Sequence, residues 1–458
     1  MSTTTRVAAA DEGARATVTS EVSPRPTHDL PVLEAFRGIA ALMVVFTHVG
    51  FLSGRAVAGP WAGWLSRLDF GVTLFFLLSG FLLFRPFVQA AYGRRPAVPV
   101  RPYLRRRFLR IYPAFLIVLV ANYLITPTSR EFNAERWIST ALLIQNYTGN
   151  FGNQLPGLVQ TWSLAIEMSF YLALPLLAWL VLGSGTAAGQ ASERLDAGRA
   201  PAVEITPAQR RLAELSRRRQ PLRLQIVSSR PWPLEFAAMR PGFVLLAVVL
   251  LSTVWRLFYA QSNGGIGNQN IWLPSFLDWF AAGMALAWLR ERSQPIPALL
   301  RTLAATPGTC WSLALAGYWL TTTALAGPTD LTSPTIAEAT LKHVTFLVIA
   351  VLALLPAVFG QSSTGWRRIA EHPFFHWLGQ ISFGVFLWHL MLLGAIRRIL
   401  GMPAFDGHFL LSLLLTLAAS AVAGTLSWRL LEEPTQRRWR TSSRTRARSA
   451  VVAPTPVR

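Results

Sequence analysis

Long apolar runs separated by polar connections dominate the pattern of this chain. A helix that crosses a bilayer needs about 20 mostly apolar residues, and ten segments approach that length and composition. The pattern therefore predicts an all-α integral membrane protein, a polytopic bundle of about ten transmembrane helices. The stretch 137–146 is too short to cross alone, so we interpret it as a partial or interfacial helix. The ten predicted spans are 33–53, 70–88, 107–125, 161–182, 241–259, 272–289, 309–326, 340–359, 378–396 and 409–430.

Arginine distribution predicts the orientation of these spans. With ten crossings, the strongly basic connections fall on one side together with both termini, and the positive-inside rule assigns that side to the cytoplasm. We therefore expect a multi-pass protein of the plasma membrane with both termini cytoplasmic. The Arg397–Arg398 pair is the exception, because it falls on the opposite side. The basic connections are 89–106, 184–240, 290–301, 367–368 and the chain after 434.

Composition supports the membrane assignment and limits the partners. Hydrophobic residues make up 52% of the 458 positions and charged residues 14%, well below the roughly 25% charged residues of soluble domains. The net charge is +21, almost all of it from arginine, since Lys342 is the only lysine. These arginines lie beside apolar segments, as membrane-flanking cations do, so we expect a lipid bilayer and no nucleic acid as partner.

The polar segments outside the spans divide the chain into a core and three appendages. We interpret residues 1–30 and 435–458 as cytoplasmic tails, the first disordered and the second basic, around a membrane domain at 31–434. The segment 184–240 interrupts that domain as a cytoplasmic insertion without persistent apolar periodicity. Cys310 is the single cysteine, so no internal disulfide is possible and no CxxC metal site exists. No HExxH, Walker A or GxSxG signature occurs either, so we expect no metal ion.

Ionisable residues inside the first predicted span are candidates for function. Arg37 and His48 are eleven residues apart, so they lie within about 20° of one helix face and about 16 Å apart along it. Glu34 lies close to the same stripe. Arg37 also fits an anchor that snorkels to the interface, and a neutral His48 also fits a packing role. The shared face favours an internal cavity with a cation at one end and a titratable base deeper in.

Later spans carry further candidates. Arg107 and Arg110 share a face at a membrane edge, where they fit either ordinary anchoring or a phosphate-binding cluster. Glu167 is buried in its span with Tyr171 one turn further on, and it requires a partner, for which a cation from another helix is the natural candidate. Ser79, with Gly71 and Gly80, fits close helix packing. Ser79, Tyr171 and His389 are the candidate residues of a substrate cavity, although a lone histidine such as His389 fits a structural role equally well.

Five motifs together resemble the acyltransferase-3 family of membrane proteins. They are LEAFRGIAALMVVFTH, GVTLFFLLSGFL, RRFLRIYP, WSLAIEMSFY and, more loosely, SFGVFLWH, in the order and spacing of that family over about residues 30–434. Thr73 stands where many members have an aspartate after G-V, which puts any role of that acid in doubt here. Phe386 stands where tyrosine is common.

The resemblance implies an O-acyltransferase that moves an acyl group, typically acetyl, from a coenzyme A thioester to a hydroxyl of a sugar-containing acceptor. Arg37, His48 and Glu167 match the family's catalytic positions, and Arg107 and Arg110 match its cytoplasmic R-x-x-R, where we expect acyl-CoA to bind. We hypothesise that His48 is the general base on the acceptor hydroxyl, and an acyl-histidine relay stays open. The acceptor is a surface glycan, a glycolipid or a secreted glycosylated metabolite.

Two other functions are alternatives to acyl transfer. A proton-coupled transporter or flippase of a glycolipid would use Arg37, His48 and Glu167 as a proton relay. A purely structural membrane protein would leave the ionisable stripe unexplained. Activity that depends on a membrane gradient rather than on coenzyme A would distinguish the transporter.

Overall fold

The computed structural model describes most of the chain between residues 30 and 434. The described ranges are 30–127, 133–148, 154–183, 234–262, 271–292, 294–329, 332–360 and 365–434. The predicted tails at 1–30 and 435–458 and the predicted insertion at 184–240 therefore lie outside the described residues, except for their margins at 30 and 234–240.

Regular structure within these ranges is helical, with no strand among the described residues. A short 3₁₀ turn, Arg67–Asp69, leads into α3, another, Leu273–Phe276, leads into α8, and a π-helical turn, Trp428–Glu432, follows α14. The α-helices are α1 Val32–Leu52, α2 Ala62–Ser66, α3 Phe70–Ala91, α4 Val100–Ile125, α5 Ala134–Ala141, α6 Thr161–Leu182, α7 Leu234–Ser262, α8 Leu277–Glu291, α9 Ala298–Ala305, α10 Pro307–Thr321, α11 Ile336–Phe359, α12 Gly365–Ala370, α13 Pro373–Ile399 and α14 Phe409–Ser427.

The all-α membrane fold predicted from the sequence is confirmed, but fewer helices than predicted are long enough to cross a membrane. All ten predicted spans coincide with helices, but eight helices in the described part are long and apolar enough to cross a membrane. The other two, α8 and α10, have 15 residues each. At 1.5 Å per residue they are about 22 Å long, short of a hydrocarbon core of about 30 Å. The predicted partial helix appears as α5, which has eight residues.

Glycines bring α3 and α8 into direct backbone contact. A Cβ on Gly80 would lie 2.1 Å from the carbonyl oxygen of Phe280, and one on Gly283 would lie 2.0 Å from that of Leu77. Neither position tolerates a side chain at this separation, which explains why small residues occur at this crossing. An aromatic stack then ties α6 to the pair, because Phe280 stacks on Phe76 at 4.6 Å and on Phe170 at 4.0 Å between ring centroids.

Helices α1 and α13 run parallel and set the two ends of the molecule. Gly379, near the start of α13, packs on the backbone of Glu34, where a Cβ would lie 2.4 Å from the carbonyl oxygen. Ten residues further along α13, His389 meets His48 of α1. We call the end at which α1 begins the proximal end and the opposite end the distal end. Helix α4 also runs from proximal to distal, because the carbonyl of Ile125 at its end accepts a hydrogen bond from Arg398 at the end of α13.

Arg397, one of the two arginines predicted on the side opposite the other basic connections, is part of the packed structure. Arg397 is buried, and it donates hydrogen bonds to the Asp406 carboxylate, the Pro403 carbonyl and the Ser412 hydroxyl. Partial burial works to raise the pKa of Asp406, but the hydrogen bond and charge of Arg397 outweigh it and hold that pKa below its usual value. Arg397 therefore fixes the distal loop between α13 and α14. This structural role explains a cation whose position the positive-inside rule does not explain.

Candidate active site

The predicted site residues of α1, α3, α4 and α6, apart from His48, meet in one cavity at the proximal end. This proximal cavity has a volume of about 300 Å³. Its floor and walls mix aromatic and aliphatic side chains with an unusual number of charged groups for the interior of a membrane bundle. The charged and hydroxyl-bearing residues in its lining are Glu34, Arg37, Ser79, Arg107, Arg110, Ser163, Glu167 and Tyr171.

Two hydroxyls hold Glu167 in this cavity. Its Oε1 accepts a hydrogen bond of 2.8 Å from the Ser79 hydroxyl and one of 2.6 Å from the Tyr171 hydroxyl. The sequence predicted a cation from another helix as the partner of Glu167. Arg107 and Arg110 of α4 are close enough to interact with its charge, but the direct contacts are to the hydroxyls. Ser79 therefore does more than permit close packing, because it helps to fix a carboxylate.

The arginines of α4 are held by aromatic faces rather than by carboxylates. The guanidinium carbon of Arg107 lies 5.9 Å from the ring centroids of both Tyr103 and Tyr171, within the range of cation–π attraction. Its Nε is buried without a hydrogen-bond partner. Within the described part of the chain, neither Arg107 nor Arg110 has a carboxylate oxygen within 4.0 Å, whereas Arg37 pairs with Glu34 at 3.2 Å. The α4 arginines thus retain the capacity to bind an anion.

A second basic pocket adjoins the proximal cavity. Its volume is about 370 Å³, and it shares Leu82, Leu83 and Arg107 with its neighbour. Arg95 and Arg106 contribute further guanidinium groups to its lining. Burial, and then the neighbouring charge of Arg106, lower the pKa of Arg95, which reflects cations crowded together. In the sequence, these arginines belong to the basic connection 89–106, and nothing in that segment assigns them to a pocket.

The distal cavity contains His48 and is of a different character. Its volume is about 580 Å³. Besides His48, the polar side chains in its lining are Thr126 and Arg398. The rest of the wall is apolar and includes Phe51, Leu52, Val159, Leu390, Met391 and Ala395.

His389 of α13 supports His48 from behind. Its Nδ1 lies 2.8 Å from the Phe386 carbonyl, so it carries the proton and donates it there, which leaves Nε2 as an acceptor. That Nε2 lies 3.2 Å from His48 Nδ1, which is also 2.8 Å from the Val44 carbonyl. His48 Nδ1 therefore carries its own proton and donates it to these two acceptors. The lone pair of neutral His48 is left on Nε2, which has no hydrogen-bond partner among the described residues.

The structure differs from the single cavity that the polar stripe predicted. Arg37 lines the proximal cavity and His48 lines the distal one. Phe75 and Phe386 border the proximal cavity and contact each other edge to face at 6.1 Å between centroids. The Phe386 ring lies 6.1 Å from that of His389. His389 is fully buried and lines neither the proximal cavity, the distal cavity nor the adjoining basic pocket, and its place in a substrate cavity stays a prediction.

Fold and site thus define a helical membrane protein with a cationic cavity at one end and a histidine-bearing apolar cavity at the other. The family model described as "Acyltransferase domain" matches residues 30–190. This segment contains α1, α3, α4 and α6 and hence Arg37, His48, Arg107, Arg110 and Glu167. Residues 30–190 match the model of the acyltransferase-3 family, as the motifs predicted.

The curated relatives of this chain are acyltransferases by name. The chain is 24% identical over 426 residues to YrhL of Bacillus subtilis (strain 168), a candidate peptidoglycan O-acetyltransferase by name, with 88% of this chain and 54% of YrhL covered. It is 32% identical over 165 residues to the acyltransferase MdmB of Streptomyces mycarofaciens, covering 33% of this chain and 40% of MdmB. It is 29% identical over 164 residues to the O-acetyltransferase OatA of Staphylococcus aureus (strain NCTC 8325 / PS 47), covering 33% and 25%. The chain thus spans about half the length of YrhL and less of the other two. No solved structure matches the chain.

Proposed function

We propose that this protein is a membrane O-acetyltransferase that moves an acetyl group from acetyl-CoA to a hydroxyl of a sugar-containing acceptor. The observation that carries the proposal is the pairing of two sites in one helical bundle: Arg107 and Arg110 of α4, without carboxylate partners among the described residues, at the proximal cavity, and His48 of α1 with its Nε2 lone pair at the distal cavity. Membership of the acyltransferase-3 family and the names of the relatives agree with it.

The proximal arginines fit a phosphate-rich donor. Coenzyme A carries several phosphate charges at one end and a thioester on a long arm at the other. Arg107 and Arg110, with Arg95 and Arg106 in the adjoining pocket, supply guanidinium groups that bind phosphate oxygens through charge-assisted hydrogen bonds. Glu167, held by Ser79 and Tyr171, lies close enough to interact with the charges of Arg107 and Arg110. Arg37 lines the same cavity and adds a further cation to the donor site.

His48 supplies the base for the transfer. As the acceptor hydroxyl oxygen attacks the thioester carbonyl, its proton passes to His48 Nε2, which becomes the imidazolium. The C–O bond forms, the C–S bond breaks, and the leaving thiolate takes the proton back from Nε2. The products are the O-acetyl ester and free coenzyme A, and His48 returns to its starting state. The acetyl group reaches the base past the Phe75–Phe386 contact, the layer between the two cavities.

The same arrangement supports an orientation in the membrane. The proximal end faces the cytoplasm, where the positive-inside rule puts the connection 89–106 and where acetyl-CoA is available. The membrane domain then covers about 31–434, with both termini cytoplasmic. A transporter that used Arg37 and His48 as a proton relay would need a polar path between them, and the aromatic layer of Phe75 and Phe386 disfavours such a path.

Labelled acetyl-CoA given to purified membranes tests the proposal. The wild type transfers label to extractable glycans, glycolipids or glycosylated metabolites, while His48→Ala loses about 10²- to 10⁴-fold of the rate, the usual contribution of a general base. Arg110→Ala keeps transfer but requires more acetyl-CoA. His376→Ala and Arg101→Ala are the matched controls, since both side chains are exposed and lie outside the cavities.

Two outcomes would overturn the assignment. If His48→Ala transfers label as fast as His376→Ala does, His48 is not the base. If no variant and no wild-type preparation releases coenzyme A, while a proton gradient drives movement of a glycolipid across the membrane, the transporter function is correct instead.

A further inference from the structure

The walls of the distal cavity indicate what kind of acceptor reaches His48. Resting on the function proposed above, we propose that the acceptor is a sugar hydroxyl carried on an apolar body, as in a lipid-linked saccharide or a small glycoside with an apolar aglycone, and not a stretch of a free, water-soluble glycan.

Among the described residues, three polar side chains line this cavity. His48 supplies the base, Thr126 one hydroxyl, and Arg398 a cation whose Nη2 donates to the Ile125 carbonyl at 2.7 Å. A glycan segment displays hydroxyls on every face, and each one that enters an apolar site without a partner costs about 1–3 kcal/mol. Three polar side chains can satisfy one sugar with its reacting hydroxyl. They cannot satisfy several consecutive sugars.

The apolar wall calls for a matching surface on the acceptor. Leu390, Met391 and Ala395 form one side of the cavity from a single face of α13, and Val159 and Leu52 lie among the residues of the other walls. The cavity volume of about 580 Å³ falls in the range of sites that take a small molecule, about 300–1,000 Å³. An aglycone or the first segment of a lipid chain fills such a space and is stabilised by the burial of apolar area.

The cavity also borders the surface that faces the lipid. Phe51 lines it, is 42% exposed, and stacks edge to face on Phe405 at 5.7 Å between centroids. Leu124, two positions before the cavity residue Thr126, is 62% exposed, and Ile399, next to the cavity residue Arg398, is 79% exposed. A membrane-soluble acceptor can therefore approach from the hydrocarbon region with its sugar directed at His48.

Three acceptors that share a sugar test this proposal with membranes and labelled acetyl-CoA: an isoprenyl-phosphate-linked glucose, hexyl glucoside below its micelle concentration, and free cellobiose. We expect label on the first or the second and none on cellobiose. The isoprenyl-linked sugar alone would indicate a glycolipid acceptor, and hexyl glucoside alone a small glycosylated metabolite. Equal labelling of cellobiose would overturn the proposal.

Gly394 offers a variant that blocks the cavity without disturbing the fold. It lines the distal cavity on α13, and a Cβ built there meets no atom within 4 Å. We expect Gly394→Phe to raise the KM for the apolar acceptor at least about tenfold, the discrimination expected from shape changes in an apolar pocket, with the KM for acetyl-CoA unchanged. Gly308→Phe is the matched control, because Gly308 is also helical with open space at its Cβ and lies outside the cavities.

The outcomes separate this proposal from the function on which it rests. If Gly394→Phe behaves like Gly308→Phe toward every acceptor, the distal cavity holds bilayer lipid and the acceptor binds elsewhere, although acetyl transfer stands. If acetyl-CoA is not consumed with any acceptor, the proposed function itself has failed.

Discussion

Replacing His389 separates its role from that of His48, the proposed base, which it contacts. In the structure, His48 Nδ1 donates to both His389 Nε2 and the Val44 carbonyl. His389→Phe removes one acceptor but leaves Val44 to hold the tautomer. The loss is therefore about one hydrogen bond, about 0.5–1.5 kcal/mol, which corresponds to about two- to thirteenfold in kcat. The loss from His48→Ala is expected to be far larger.

Transfer of labelled acetyl from acetyl-CoA, with acceptor in excess, measures this effect. We expect His389→Phe to lower kcat within that range and to leave the KM for acetyl-CoA unchanged, because His389 lines neither the proximal cavity nor the adjoining basic pocket. His389→Gln restores part of the rate, since its side-chain oxygen can accept from His48 Nδ1. A wild-type rate for His389→Phe would refute the reasoning, and so would a loss as complete as that of His48→Ala at equal protein level in the membrane.

Three further predictions concern the donor site and the fold. Arg110→Ala should raise the KM for acetyl-CoA about 13- to 150-fold, which corresponds to the value of about 1.5–3 kcal/mol for a hydrogen bond to a charged group, and donor titration in membranes measures it. Gly283→Ala should destabilise the α3–α8 crossing by about 1–3 kcal/mol through overpacking, seen as a lower Tm in detergent, whereas Gly308→Ala should not lower Tm. Arg397 lowers the pKa of the Asp406 carboxyl in the folded protein. The stabilisation that Asp406 contributes is therefore fully present above the pKa it has in the unfolded chain, and it is lost as pH falls through the lower pKa of the folded state. Asp406→Asn should therefore lower Tm at neutral pH and reduce its fall on acidification, and an unchanged profile of Tm against pH would contradict the ion pair.

Much of the candidate site is local to single helices, and that part was predictable. The separation of eleven positions between Arg37 and His48 dictates a shared face in any α-helix, and the i, i+4 spacing places Tyr171 within reach of Glu167. The R-x-x-R spacing likewise puts Arg107 and Arg110 on one side of α4. These relations depend only on helical periodicity, which the long apolar runs made certain.

The contacts between helices could not be predicted from the sequence. His389 is 341 residues from His48, and nothing in either segment indicates that α13 runs parallel to α1 at this distance. The same holds for the Ser79 hydroxyl on Glu167 and for the basic pocket beside Arg107. The aromatic layer of Phe75 and Phe386 also depends on two helices distant in sequence, so the division of one polar stripe into two cavities could not be anticipated.

The sequence by itself determined that this chain is a helical membrane protein, where its helices lie, and which side chains carry ionisable chemistry into them. It did so because a bilayer admits few ways to satisfy backbone hydrogen bonds and penalises every unexplained charge. The tertiary structure decided which charges meet, which of them remain without a carboxylate, and which nitrogen of His48 keeps its lone pair without a hydrogen-bond partner among the described residues. Those outcomes depend on the register and crossing of helices, which are set by close contacts such as Gly80 on Phe280 and Gly379 on Glu34, and no periodicity within one segment encodes them.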